Sequence, residues 1–97
     1  MSANPFAQNL DRNPANHQPL TPLSLLARAA AIWPDHTAVI HGRQTHTYSE
    51  LYARARRLGS ALASRGIGVG DTVSVMLPNV PPMLKAHYGV AMTGAVL

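Results

Sequence analysis

The sequence predicts an α/β fold: a β-hairpin, then a strand–helix–strand unit that starts a parallel sheet, with amphipathic helices packed on it. Three observations carry this expectation. Residues 66–79 run from a glycine-punctuated loop (Gly66, Gly68, Gly70) through Thr72-Val73-Ser74-Val75-Met76-Leu77 to Pro78-Asn79. A short β-branched apolar run bounded by turn residues reads as a strand covered on both faces. Two stretches, beginning near residues 22 and 48, repeat apolar side chains at helical spacing. Between them, Thr37–His41 and Gln44–Thr47 flank Gly42-Arg43, a two-residue hairpin turn with glycine first, as type II′ prefers.

The elements follow in order. Residues 1–20 repeat Asn, Gln and Pro without an apolar core, so they read as an extended polar lead-in and not as a signal peptide or membrane span. Thr21-Pro22 starts a helix, with the hydroxyl capping an orphan N–H and proline at a position that needs no donor. Leu25, Leu26, Ala29, Ile32 and Trp33 share one side of it, and Pro34 stops it. After the hairpin, Thr47-Tyr48-Ser49-Glu50 fits a capping box, so a second helix starts at Tyr48. Its packed face is Leu51, Ala55, Leu58 and Leu62, and Gly66 supplies the left-handed residue that ends it. Asn79 caps a third helix with Pro81 and Pro82 in its first turn, an inward stripe of Met83, Leu84, His87, Tyr88 and Ala91, and Gly94 at its end. Ala95-Val96-Leu97 then opens another strand, parallel to Val73–Leu77. Three apolar residues at that point, without a turn or polar tail, lead to the expectation that the chain is the N-terminal piece of a longer protein.

Composition narrows the function classes. The chain has 97 residues, 46% hydrophobic and 12% charged, which allows one globular domain at most. There is no cysteine, so neither a disulfide framework nor a thiolate metal site can form. Met83 to Leu97 is interrupted by Lys85, His87, Tyr88 and Thr93 and is too short to cross a bilayer. A cytoplasmic location is the default expectation. The net charge of +4 supports weak attraction to anions.

No chemistry-bearing constellation assembles from the residues themselves. The loop Gly66-Ile67-Gly68-Val69-Gly70 follows a helix and opens a strand, whereas a dinucleotide fingerprint does the reverse, so a helix-end and turn role is expected. His41 and His46 share a hairpin face, but two imidazoles are too few for a zinc site; both are expected partly exposed. His87 reads as a hydrogen-bonded core histidine. Arg54, Arg57 and Arg65 share a helix face with Glu50, opposite the leucines, and with Arg56 read as a solvated surface. Nucleic-acid binding by this helix is the competing interpretation, without aromatic interleaving to favour it. No Ser/His/Asp set, paired carboxylates or Walker-type loop is present, and Lys85, the one lysine, lies within a helix.

Taken together, Thr21-Pro22-Leu23-Ser24, Pro34-Asp35 with Ala38-Val39-Ile40, Thr47-Tyr48-Ser49-Glu50-Leu51, and Gly70-Asp71 with Val73–Leu77 and Pro78-Asn79 resemble the N-terminal part of the AMP-forming acyl-CoA synthetases. The resemblance covers residues 21–97, which would be an incomplete N-terminal part of the large AMP-binding domain. Asn79-Val80-Pro81-Pro82-Met83, His87-Tyr88-Gly89-Val90 and Gly94-Ala95-Val96-Leu97 are similar to the branch that activates fatty, aromatic or methylthio-substituted short- and medium-chain acids. The resemblance implies a two-step ligase. A carboxylate attacks the α-phosphate of Mg-ATP to give an acyl-adenylate, and the thiol of coenzyme A displaces AMP. The implied partners are a small carboxylic acid, ATP with Mg2+, and coenzyme A, all belonging to a full-length parent. Such enzymes use a Ser/Thr/Gly-rich phosphate loop, downstream acidic and arginine residues and a lysine from a mobile domain. None of these is present here, so no catalytic, cofactor-binding or metal residue carries over, and the 97 residues alone are expected to be inactive and to bind none of the three. The alternative expectation is a non-catalytic truncated module, or a basic protein that binds nucleic acid or a partner. The residues do not specify an oligomeric state.

Overall fold

The computed structural model describes residues 4–97. Helix α1 spans Pro22–Ile32, strand β1 Thr37–His41, strand β2 Gln44–Thr47, helix α2 Tyr48–Ser64 and helix α3 Pro81–Met92. The mixed helix and strand order agrees with the α/β expectation. Before α1, the chain makes a 3-10 turn at Pro5–Ala7 and a turn held by Asn13 Oδ1, which accepts the Ala15 and Asn16 N–H groups. Of the expected lead-in, residues 1–3 lie outside the described residues; the rest is not uniformly extended, and residues 8–20 are exposed.

Each helix end follows from local hydrogen-bonding needs. At α1, Thr21 Oγ1 accepts the Ser24 N–H at 3.2 Å and Ser24 Oγ accepts the Thr21 N–H at 3.3 Å, a reciprocal box with serine in place of an acid. At α2 the box is the expected one: Glu50 N–H to Thr47 Oγ1 at 3.2 Å, and Thr47 N–H to Glu50 Oε1 at 3.1 Å. The two orphan donors before Glu50 are satisfied from a distance. Tyr48 N–H reaches the His36 carbonyl at 3.0 Å and Ser49 N–H the Pro34 carbonyl at 3.1 Å, which ties the turn after α1 to the start of α2. At its other end, Gly66 N–H bonds Ala63 O and Ile67 N–H bonds Leu62 O, with Gly66 at φ +83°, a Schellman closure.

The hairpin has the expected register. His41 pairs with Gln44, Ile40 with Thr45 and Val39 with His46, with an irregularity between Thr37 and Val39. Gly42 has φ +62° and Arg43 is not among the positive-φ residues, as type II′ requires. The core beneath it is small: Leu26, Leu51 and Ala55, flanked by Ala38, Val39, Tyr48, Tyr52, Tyr88 and Met92. Helix α2 lies at the centre, packed on α3 on one side and on α1 and the hairpin on the other.

Four expectations need correction. The run Thr72–Leu77 is not a buried strand here. It makes one parallel bridge, Thr72 to Val96, and leaves Val75, Met76 and Leu77 exposed, Met76 almost completely. The direction of pairing is the expected one; what is missing is cover over Val75, Met76 and Leu77. Second, the cap of α3 is Val80, not Asn79. The reason is that Pro81 and Pro82 have no N–H, and Met83 N–H already bonds Val80 O at 2.9 Å, so a polar cap has little to accept. Third, α3 buries Pro81, Ala86, Gly89 and Val90, while Leu84, His87 and Ala91 are exposed. Its sequence is apolar on nearly every side, so spacing alone selects no stripe, and close approach to α2 selects the small residues. Fourth, on α1 only Leu26 of the expected face is buried, with Leu25, Ile32 and Trp33 about half exposed.

Candidate functional site

Two places in the fold combine shape with polar chemistry. The first is the junction of β2 and α2. Val39 and His46 are register partners on the side of the hairpin that meets the core, so His46 is 4% exposed and not the partly exposed residue expected. Neither imidazole nitrogen has a hydrogen-bond partner among the described residues, and Nδ1 lies 3.9 Å from Glu50 Oε2, too far for a hydrogen bond. The Glu50 carboxyl is held below its ordinary value of 4.5, first by the Thr47 N–H it accepts, then by the Thr47 side chain, with smaller contributions from His46 and Arg54. His36 stacks on Tyr48 beside the same helix end, ring centroids 6.2 Å apart. These contacts position the hairpin against α2.

The second place is an open groove of about 350 Å³ between β1 and the first turns of α3, lined among others by Val39, His41, Val80, Met83 and His87. His87 Nδ1 donates to the Met83 carbonyl at 2.8 Å, so in the neutral ring Nε2 is the free acceptor. His87 is exposed, which corrects the core reading, although the expected hydrogen bond is present. Two imidazoles at the rim of an apolar trough can hydrogen-bond a polar group whose apolar remainder lies in the trough. They form no nucleophile–base pair.

The remaining candidates disperse. The glycine loop ends α2, and the Asp71 carboxylate takes the Gly68 N–H at 2.8 Å, so the loop is organised around its own turn. Arg54, Arg56, Arg57 and Arg65 are all exposed, with the Arg56 guanidinium 5.6 Å from the centre of the Tyr52 ring. Lys85 lies beside Arg54 across the α2–α3 contact, and partial burial together with that neighbour lowers its pKa. Among the described residues no three His, Asp or Glu side chains converge. Sequence reasoning missed the helix crossing at Gly59 and Gly89, where a Cβ on Gly59 would stand 3.1 Å from Gly89 O. The signal was available, since each is an isolated glycine inside a helical pattern.

A family model described as AMP-binding enzyme matches residues 26–97. The chain belongs to the AMP-binding enzyme family. It is similar to a peroxisomal acetate/butyrate–CoA ligase of Arabidopsis thaliana, 52% identical over 89 residues, which are 92% of this chain and 16% of that protein. An acetate–CoA ligase of Humulus lupulus is 47% identical over the same shares. Among solved structures, O-succinylbenzoate coenzyme A synthetase from Bacillus subtilis, in complex with ATP and magnesium, matches with a TM-score of 0.68 and 31% identity, over 72% of this chain and 19% of that one. Mycobacterium smegmatis MbtA matches at 0.70 and 45%, over 75% and 14%. The fold is thus that of the N-terminal part of an adenylate-forming enzyme, and the chain spans about a sixth of the length of its curated relatives. No described helix is long and apolar enough to cross a membrane.

Proposed function

We propose that this chain is the N-terminal scaffold of an AMP-forming acyl-CoA ligase acting on short or aromatic carboxylic acids. The observation that carries the reading is the 52% identity to an acetate/butyrate–CoA ligase across 92% of the chain. In the whole enzyme, ATP with Mg2+ activates the acid carboxylate as an adenylate, and coenzyme A takes the acyl group. Adenylation makes a poor leaving oxygen into a good one, and cations and backbone donors stabilise the phosphate charge. On this reading residues 1–20 are a lead-in and residues 21–97 supply no catalytic, cofactor-binding or metal residue. Their work is to present α2, α3 and the segment after Asp71 to the rest of the domain. The arginine face stays solvated, without nucleic acid as a partner.

The test replaces the matching N-terminal segment of the Arabidopsis ligase with this chain and measures acetate- and butyrate-dependent acyl-CoA formation. Formation within tenfold of the parent supports the reading, and a folded but inactive hybrid refutes it. The 97-residue chain alone should give no carboxylate-dependent ATP–pyrophosphate exchange. We also propose a cytoplasmic setting; since several relatives are described as peroxisomal, a fluorescent fusion found in peroxisomes would overturn that part.

A further inference from the structure

We propose that the trough between β1 and the start of α3 is a binding site for a small neutral amphiphile, an apolar ring or short chain that carries one hydroxyl group. The walls set the apolar part. Val39 and Ile40 come from β1, and Val80, Pro81, Met83 and Leu84 from the other side. Small-molecule sites are mostly apolar, with a few placed polar groups. At about 350 Å³ the trough has more than twice the volume of a cavity of about 150 Å³ that holds benzene, which is room for a ring with a short side chain.

The polar groups select the head. His87 Nδ1 carries the proton, because its partner 2.8 Å away is the Met83 carbonyl, which only accepts. In the neutral ring Nε2 is then a lone pair in need of a donor, on an exposed side chain. His41 and Asn79, the other polar residues of the lining, each have an N–H to offer. A hydroxyl is donor and acceptor in one group and suits this set. A carboxylate only accepts, and leaves His87 Nε2 unmet. Anions lose their usual support as well. Pro81 and Pro82 have no N–H and the Met83 N–H bonds Val80 O at 2.9 Å, so the first three residues of α3 present no free amide of the kind that makes a helix start an anion site. None of the lining residues is charged, so a carboxylate meets no cation there and an ammonium no carboxylate. A neutral head is what remains.

The experiment titrates the 97-residue chain, at about pH 8 where an imidazole is uncharged, with three probes of one shape: phenylpropanol with its terminal hydroxyl, phenylpropanoate and propylbenzene. NMR signals of the His41 and His87 rings and of the Met83 methyl report on the trough, and the Met76 methyl reports on exposed apolar surface elsewhere. The alcohol should shift the trough signals. It should bind about fivefold more tightly than propylbenzene, the worth of one hydrogen bond, and about tenfold more tightly than the carboxylate. His87→Phe keeps a ring at an exposed position and removes the acceptor; it should leave the helical melt and propylbenzene binding unchanged and abolish the preference for the alcohol. Ile40→Asp places a charge on the opposite wall and should weaken alcohol and hydrocarbon alike. The ligase hybrid described above should show the same His87-dependent preference. Equal binding of the three probes, shifts at Met76 without shifts at His87, an alcohol preference that survives His87→Phe, or its loss in the folded hybrid overturns the proposal. Alcohol binding by both the free chain and the hybrid supports it even where the hybrid makes no acyl-CoA, a result that counts against the ligase reading alone.

Discussion

A methyl group added at Gly89 would stand 2.8 Å from Leu58 Cδ2 and 2.9 Å from its Cβ and Cγ. The Leu58 Cβ is fixed to its helix, so the side chain cannot simply swing away. Alanine gains about 1 kcal/mol of helix propensity over glycine, but overpacking costs about 1–3 kcal/mol. Gly89→Ala should therefore destabilise by about 1 kcal/mol, read as a fall of about 5 °C in the helical melt, and Leu58→Ala in the same chain should return part of it. His46 is the opposite case, a buried ring with both nitrogens unpartnered. An orphaned buried polar group costs about 1–3 kcal/mol, so His46→Leu should raise stability by about 1 kcal/mol. Glu50 sets the pH dependence. Its folded carboxyl titrates below 4.5, so the stability it contributes is fully present above that value and is lost as pH falls through the folded pKa. The melting temperature should hold above about pH 5 and fall below it, and Glu50→Ala should flatten that fall.

Among the elements, legibility followed how local the cause is. The capping box Thr47–Glu50, the hairpin turn at Gly42 and the Schellman glycine at Gly66 each depend on a few neighbouring residues, and each stands where the sequence places it. The buried face of α3 does not. It is chosen by α2 through Gly59, Leu58 and Gly89, a contact between residues about thirty apart that no single spacing announces. The same holds for the candidate groove, whose two walls, β1 and α3, come from segments about forty residues apart. The missed cap is instructive because Asn79 has the right chemistry in the wrong place. With prolines at the first two helical positions and Met83 N–H already taken, a cap side chain has no clear donor to serve. Val80→Ser should therefore gain less than the customary value of about 1 kcal/mol, within about 0.3 kcal/mol of the parent in a urea titration.

For the whole molecule the governing quantity is uncovered apolar surface. The radius of gyration is 17.8 Å, against about 12.5 Å for a compact domain of this length. Three buried side chains, Leu26, Leu51 and Ala55, form the centre of the core, while Trp33, Ile40, Met76 and Val96 each expose more than half their surface. Such a ledger favours association over a stable monomer. The form of the association follows from the segment after Asp71. Val96 takes one side of the segment at Thr72, so copies pair through the remaining side, an isologous contact that closes into a dimer. Sedimentation velocity should accordingly show a weight-average coefficient that rises with concentration to a dimer plateau. Met76→Lys places a charge on the most exposed residue of that edge, and should flatten the rise without changing the helical signal. If instead association is unaltered by Met76→Lys and abolished by Ile40→Lys, the hairpin face, not the strand after Asp71, is the adhesive surface. The bare edge would then be a passive consequence of the chain's small core.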